Sequence, residues 1–113
     1  MTNLLKPLVT VVIPCYCYQD KVGRAIQSVR NQDLNNIEII VVDDGSDDEQ
    51  AIKDAVENAS IGKKTIIEDG KEREVSFRDM RVKLIRQNNS GVATARNRGI
   101  LEGTAPYVCC LDA

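Results

Sequence analysis

At 113 residues, 42% apolar and 28% charged, the chain has the size and composition of one globular domain, which excludes disorder, collagen and coiled coil. A chain of this size buries about 60–70% of its unfolded surface, so neither disulfides nor a structural metal is needed for stability. Its 15 basic and 17 acidic side chains leave a charge of −2, with no electrostatic footprint for nucleic acid or an anionic membrane, and the absence of histidine removes Ser-His and Cys-His catalysis and imidazole metal ligation.

The longest apolar run, Leu8 to Ile13, ends at Pro14 and is too short for a membrane span or a secretory leader, so cytoplasmic residence is expected. Within it Val9–Ile13 reads as a strand closed by Pro14, with the unbroken apolar character of a parallel strand covered on both faces. A helix follows, carrying Val22, Ala25, Ile26 and Val29 on one stripe, with Gln19 or Asp20 near its cap. Ile37–Val42 is a second buried strand. The second helix presents Ala51, Ile52, Ala55, Val56 and Ala59 behind the acidic turn Ser46–Glu49. Ile61 to Met80 exceeds what a crossover needs. There, Thr65–Glu68 and Lys71–Phe77 flank Asp69-Gly70, which predicts a hairpin with a type I′ turn, and its many charges make it a surface insertion. Val82–Ile85 is the third core strand. A third helix starts near Ser90, carries Val92 and Ala95, and closes at Gly103; Tyr107–Leu111 is the last strand. The pattern predicts an α/β fold, an open and mostly parallel Rossmann-like sheet of order 3-2-1-4 with flanking helices. Cys15, Cys17, Cys109 and Cys110 match no zinc-ligand spacing and read as small buried hydrophobes, with Cys17 the one placed to be accessible.

Three polar features fall at strand C-termini, where open α/β sheets bind ligands. Pro14-Cys15-Tyr16 follows the first strand, Asp43-Asp44-Gly45-Ser46 the second, and Asp112 the last. Asp-Gly-Ser is an ordinary turn with a helix cap, yet a carboxylate here can also accept the N3–H of uracil, a donor that cytosine lacks. Tyr16 is either a half-buried aromatic or a ring on which a base stacks. Arg96 and Arg98 lie on nearly opposite sides of a helix, so at most one reaches a ligand; Arg96 facing a diphosphate is the functional use, and solvation the plain one. Neither the dinucleotide fingerprint nor the phosphate loop G-x-x-x-x-G-K-[ST] occurs.

The segments Val11–Tyr16, Ile39–Asp48, Asn88–Gly99 and Tyr107–Ala113, in this order and approximate spacing, resemble the N-terminal, nucleotide-binding part of family 2 glycosyltransferases with the GT-A fold. The resemblance implies a single partial domain over residues 1–113 and a nucleotide-diphospho-sugar donor such as a UDP-sugar. Pro14 and Tyr16 would line the base site with Asp20 nearby, Asp44 would accept from uracil N3, and Arg96 would lie near the phosphates. Asp112 would be the first acid of the D-x-D motif, holding Mg²⁺ or Mn²⁺ against the diphosphate, hard cations that prefer oxygen ligands. A family member would transfer the sugar with inversion to a hydroxyl of a glycan or other acceptor. Cys17 stands where the family's Pro-x-Tyr is usually followed by Asn. The sequence ends at Ala113, one residue before the second acid would appear, and the catalytic base is expected beyond it. Residues 1–113 are therefore expected to bind donor weakly and transfer nothing, to expose surface prone to homo-oligomerisation, and in full-length form to work in the cytoplasm or at the inner membrane face. The rival readings are a phosphoacceptor receiver, also doubly wound with acids at strand ends, and a non-catalytic nucleotide-binding module.

Overall fold

The computed structural model describes residues 6–113. Its centre is a parallel sheet of β1 (Val9–Cys15), β2 (Ile37–Asp43), β5 (Val82–Arg86) and β6 (Tyr107–Cys110), ordered β5-β2-β1-β6. Counting only the sheet strands, this is the expected 3-2-1-4. β2 is buried along its whole length and β1 nearly so, because helices cover both faces of these two central strands.

The strand alternation sends side chains to two cores. Val11, Ile13, Ile39 and Val41 meet α1 (Val22–Arg30) and α2 (Glu49–Ala59), whose Val22, Ile26, Val29, Ile52, Val56 and Ala59 are buried at helical spacing. Val12, Ile40 and Val42 face α3 (Val92–Glu102) through Ala95. α3 approaches so closely that a Cβ on Gly99 would stand 2.3 Å from a Val12 methyl, so this helix position admits no side chain.

Several boundaries differ from expectation, the hairpin's first strand starting at Ile61 ahead of the expected Thr65, and two of them border the loop after β1. β1 runs through Pro14 to Cys15, pairing with β2 as far as Cys15↔Asp43. The Val12 carbonyl accepts from Leu111, so by alternation Pro14's missing N–H lies on the same β6 side, beyond the last β1–β6 pair, Val12↔Cys110; no ladder bond is lost. At α1 neither Gln19 nor Asp20 caps the helix. The N-cap is Lys21, without a side-chain bond, and the Tyr18 carbonyl receives the amides of Lys21 and Val22. α2 starts as expected, with the Asp48 side chain accepting from the Ala51 amide.

β3 (Ile61–Glu68) and β4 (Lys71–Arg78) form the hairpin, antiparallel from Ile61↔Arg78 to Glu68↔Lys71. Asp69 and Gly70 have φ of 53° and 73°, the left-handed pair that a type I′ turn requires. Its base is fastened by Asp79, buried between Arg30 at 2.9 Å and Arg81 at 2.8 Å, while Arg30 also donates to the Ala59 carbonyl.

The cysteines divide. Cys15 is buried and Cys17 half-buried, but Cys109 and Cys110 are exposed, because β6 is an edge strand that no described helix covers. Cys17 is partly accessible, as its place after Pro14 suggests, and the expectation of burial is corrected for Cys109 and Cys110.

Candidate functional site

A cavity of about 520 Å³ opens at the C-terminal edge of the sheet, between β1, β2, α3 and the chain after β6. Pro14, Cys15, Tyr16 and Tyr18 supply one wall, Asp44, Asn89 and Gly91 the floor at the β2 side, and Val92, Ala95, Arg96, Asp112 and Ala113 the rest. Five of the six expected site residues therefore share one hollow. Asp20 does not. It lines a separate cleft with Lys21, Arg24, Ala25 and Ser28 of the α1 side, and only Asp112 and Ala113 border both.

The two adjacent aspartates have different tasks. Asp43 belongs to the scaffold: its carboxylate accepts from the Ser46 amide at 3.0 Å and from Arg86 Nη1 at 2.7 Å, closing the β2–α2 turn. Gly45 has φ 73°, and a Cβ there would come within 2.6 Å of the Asn89 nitrogen. Only glycine lets this turn and the β5–α3 loop nest together. Ser46 Oγ then receives the amide of Cys17 at 2.7 Å, tying the loop after β1 to the same turn.

Asp44 faces the cavity but is only 4% exposed. Its Oδ1 receives Gln87 Nε2 at 2.9 Å and the Ser90 amide at 2.8 Å, and its Oδ2 receives the Gly91 amide at 2.9 Å. Gly91 is the N-cap of α3 and has no capping side chain of its own, so Asp44 caps that helix from across the site. Burial pushes its carboxyl up, but the hydrogen bonds from Gln87, Ser90 and Gly91 prevail and hold it below the usual carboxylate range. Asp44 is thus an ionised acceptor at neutral pH. A carboxylate offers about four acceptor positions, and with three occupied the remaining one is on Oδ2.

Tyr16 is 43% exposed, with its ring available for stacking. The charge of Asp47, with lesser help from Cys17, raises its phenol. Burial and the Asp43 charge push the Cys15 thiol up to about 12, which makes it a wall and no nucleophile. Arg96 Nη2 lies 3.3 Å from Asp112 Oδ1, spanning the rim. Arg98 instead pairs with Glu102 and lines none of the cavity, as helical geometry required.

Among the described residues no group of three or more His, Cys, Asp or Glu is arranged to hold a metal. Asp112, with its side chain 73% exposed, supplies one hard oxygen donor at the rim. One or two carboxylates completed by ligand phosphates is a common way to bind Mg²⁺, so this donor set fits part of such a site and no more. A hollow of about 400 Å³ at the opposite end of the sheet is charged but internally satisfied. Its Glu38 accepts from Thr10 at 2.6 Å and from the Thr104 amide, and pairs with Lys83 at 3.5 Å. Gln87, Asn89 and Tyr18 were not singled out from sequence; a polar residue directly after β5 was the signal available for Gln87, since that edge is where ligands bind.

The sheet order, its crossovers and the position of the hollow define a doubly wound α/β fold of the GT-A type. It superposes with a TM-score of 0.68 on a mannosyltransferase, PcManGT from Pyrobaculum calidifontis, solved in complex with GDP-Man and Mn²⁺, at 22% identity over 95% of this chain and 27% of that one. The sequence model of Glycosyl transferase family 2 matches residues 10–113, and the chain belongs to that family. It is 32% identical to a protein named uncharacterized glycosyltransferase EpsJ of Bacillus subtilis, over 94% of this chain and 26% of that protein. It is 30% identical to the amylovoran biosynthesis glycosyltransferase AmsB of Erwinia amylovora, over 92% of this chain and 30% of that one. The chain thus spans between a quarter and a third of these relatives. Family membership overturns the receiver reading.

Proposed function

We propose that the cavity between β1 and α3 is the donor pocket of an inverting glycosyltransferase and takes a nucleoside-diphospho-sugar, a UDP-sugar by preference. The observation that carries this is the meeting of Tyr16, Asp44, Arg96 and Asp112, from four separate stretches of chain, around one hollow at the switch point between β1 and β6. Tyr16 stacks on the base beside Pro14, and the open position on Asp44 Oδ2 accepts a ring N–H. Arg96 faces the diphosphate. Asp112, together with ligand phosphates, would hold a divalent cation, which would supply charge neutralisation for the departing nucleoside diphosphate. In the complete protein the acceptor hydroxyl attacks the anomeric carbon, the bond to the diphosphate breaks, and a carboxylate outside these residues takes the proton. Asp20 lines the neighbouring cleft and is not assigned to the base on this reading.

Guanine also presents N–H donors on its pairing edge, and GDP-Man is the ligand named with the mannosyltransferase of similar fold. Saturation-transfer NMR of the chain against UDP, GDP, CDP and ADP, with and without Mn²⁺, tests the reading. UDP should give the strongest transfer, with contacts from the base to Tyr16, and CDP much less. GDP ahead of UDP would reassign the base, and no transfer from any of the four would remove the pocket. Residues 1–113 are one partial donor domain on this reading and transfer no sugar by themselves. The free, exposed Cys109 and Cys110 suit the reducing cytoplasm or the inner membrane face. Fractionation of the complete protein tests that placement.

A further inference from the structure

We propose that Gln87 is a positioning residue that fixes the charge and orientation of Asp44, leaving that carboxylate one open acceptor position toward the pocket. The inference rests on the donor-pocket reading for its functional meaning, but its physical content stands on the geometry alone.

Gln87 is the first residue after β5, and its backbone is anchored by its own amide to the Asp43 carbonyl at 3.0 Å. From there its side chain reaches Asp44 Oδ1 at 2.9 Å. The other two donors to that carboxylate are backbone amides, which only a proline substitution would remove. Gln87 is thus the only side chain among the described residues that hydrogen-bonds the Asp44 carboxylate; Asn89 Nδ2 donates to the Asp44 backbone carbonyl instead, at 3.1 Å. The division of donors matters. Gln87 and Ser90 together saturate Oδ1, which leaves the spare capacity on Oδ2. Without Gln87 the carboxylate has an open position on each oxygen and can turn about its χ2, so a base N–H meets a mobile acceptor in place of a fixed one. An amide is the side chain suited to this place, because its donor end has no charge to titrate and does not compete with Arg96 or Asp112 for phosphate or metal.

The Asp44 charge acts on Cys15 and Tyr16, from β1 and the loop after it, and the charged groups that share its cavity are Arg96 of α3 and Asp112 after β6. Asp43 and Asp47 belong to its own turn, while the β5–α3 loop meets it with the neutral donors of Gln87, Asn89, Ser90 and Gly91. Replacing Gln87 by Glu therefore puts a second carboxyl against the first, and two such groups share one proton as pH falls. Gln87→Leu removes the donor outright.

Carbon-detected NMR of the Asp44 carboxyl in the ligand-free chain, together with UDP titration, tests this. In Gln87→Leu the Asp44 titration midpoint should rise and UDP affinity fall about tenfold, the effect of one hydrogen bond to a charged group. In Gln87→Glu, UDP affinity relative to wild type should be poorest at about pH 8 and recover toward about pH 5, a ratio in which the nucleotide's own phosphate titration cancels. An unmoved midpoint in Gln87→Leu overturns the proposal whatever UDP does. A raised midpoint with UDP affinity equal to wild type overturns the positioning role. A raised midpoint in a protein whose wild type binds no nucleotide sustains Gln87's hold on Asp44 and overturns the donor-pocket reading instead.

Discussion

Asp43 and Asp44 are neighbours in sequence and opposites in use. Adjacent residues at a strand end point to opposite sides, so one carboxylate reaches Arg86 and the Ser46 amide while the other turns to the cavity and the start of α3. Sequence alone pointed to the pair, and to Asp44 as the member facing a ligand, but not to the three donors already on it. Those donors change what a substitution does. Asp44→Ala orphans Gln87 and uncaps α3, so a stability loss of about 1–3 kcal/mol in urea denaturation should accompany a loss of similar size in UDP affinity. Asp44→Asn keeps the volume but turns an amide N–H donor toward one of its own donors, and should show both losses. A variant that loses UDP binding at unchanged urea midpoint would assign Asp44 to ligand alone.

Helix periodicity and strand composition made the elements readable. Val22, Ile26 and Val29 of α1 and Ile52, Val56 and Ala59 of α2 are buried at the spacing that the residue pattern shows. α3 was legible mainly through its closing Gly103, because its contact with the sheet is made by small residues, Ala95 and Gly99. Gly99→Ala should cost about 1–3 kcal/mol by overpacking against Val12, read as a lowered urea midpoint with unchanged slope. An unchanged midpoint would mean that α3 can lift off the sheet without cost. The hairpin shows the converse. Its turn was plain from Asp69-Gly70, yet its attachment through Arg30, Asp79 and Arg81 joins residues too far apart for any local pattern to reveal.

For the molecule as a whole, acid is the relevant stress. Asp44, Glu38 and Asp79 all have carboxyls held below their ordinary values, Asp44 and Glu38 despite burial and through their hydrogen bonds, Asp79 through Arg81 first and then Arg30. Depressed folded-state values mean that the unfolded chain binds protons first. The stabilisation is fully present above the unfolded carboxylate range of about 4 and is lost as pH falls through the lowered folded values. Urea midpoints should therefore decline steeply below about pH 4, and hardly change from there to neutrality, since no histidine is present. A midpoint that already falls between about pH 7 and pH 5 would refute this assignment of the acid-sensitive groups. No helix among the described residues is long and apolar enough to cross a membrane.

The amino-acid order alone determined the strand order, the two covered central strands, the hairpin and the edge of the sheet at which the cavity opens. Each of these follows from local periodicity and from the handedness of parallel crossovers. Tertiary structure decided the rest. It placed Asp20 in a different cleft from Tyr16, left Cys109 and Cys110 exposed on an uncovered edge, carried β1 past Pro14, and surrounded Asp44 with donors from a loop more than 40 residues away in the chain. Such contacts depend on which backbone groups meet when the two layers of helices close on the sheet, and residue spacing carries no record of that meeting.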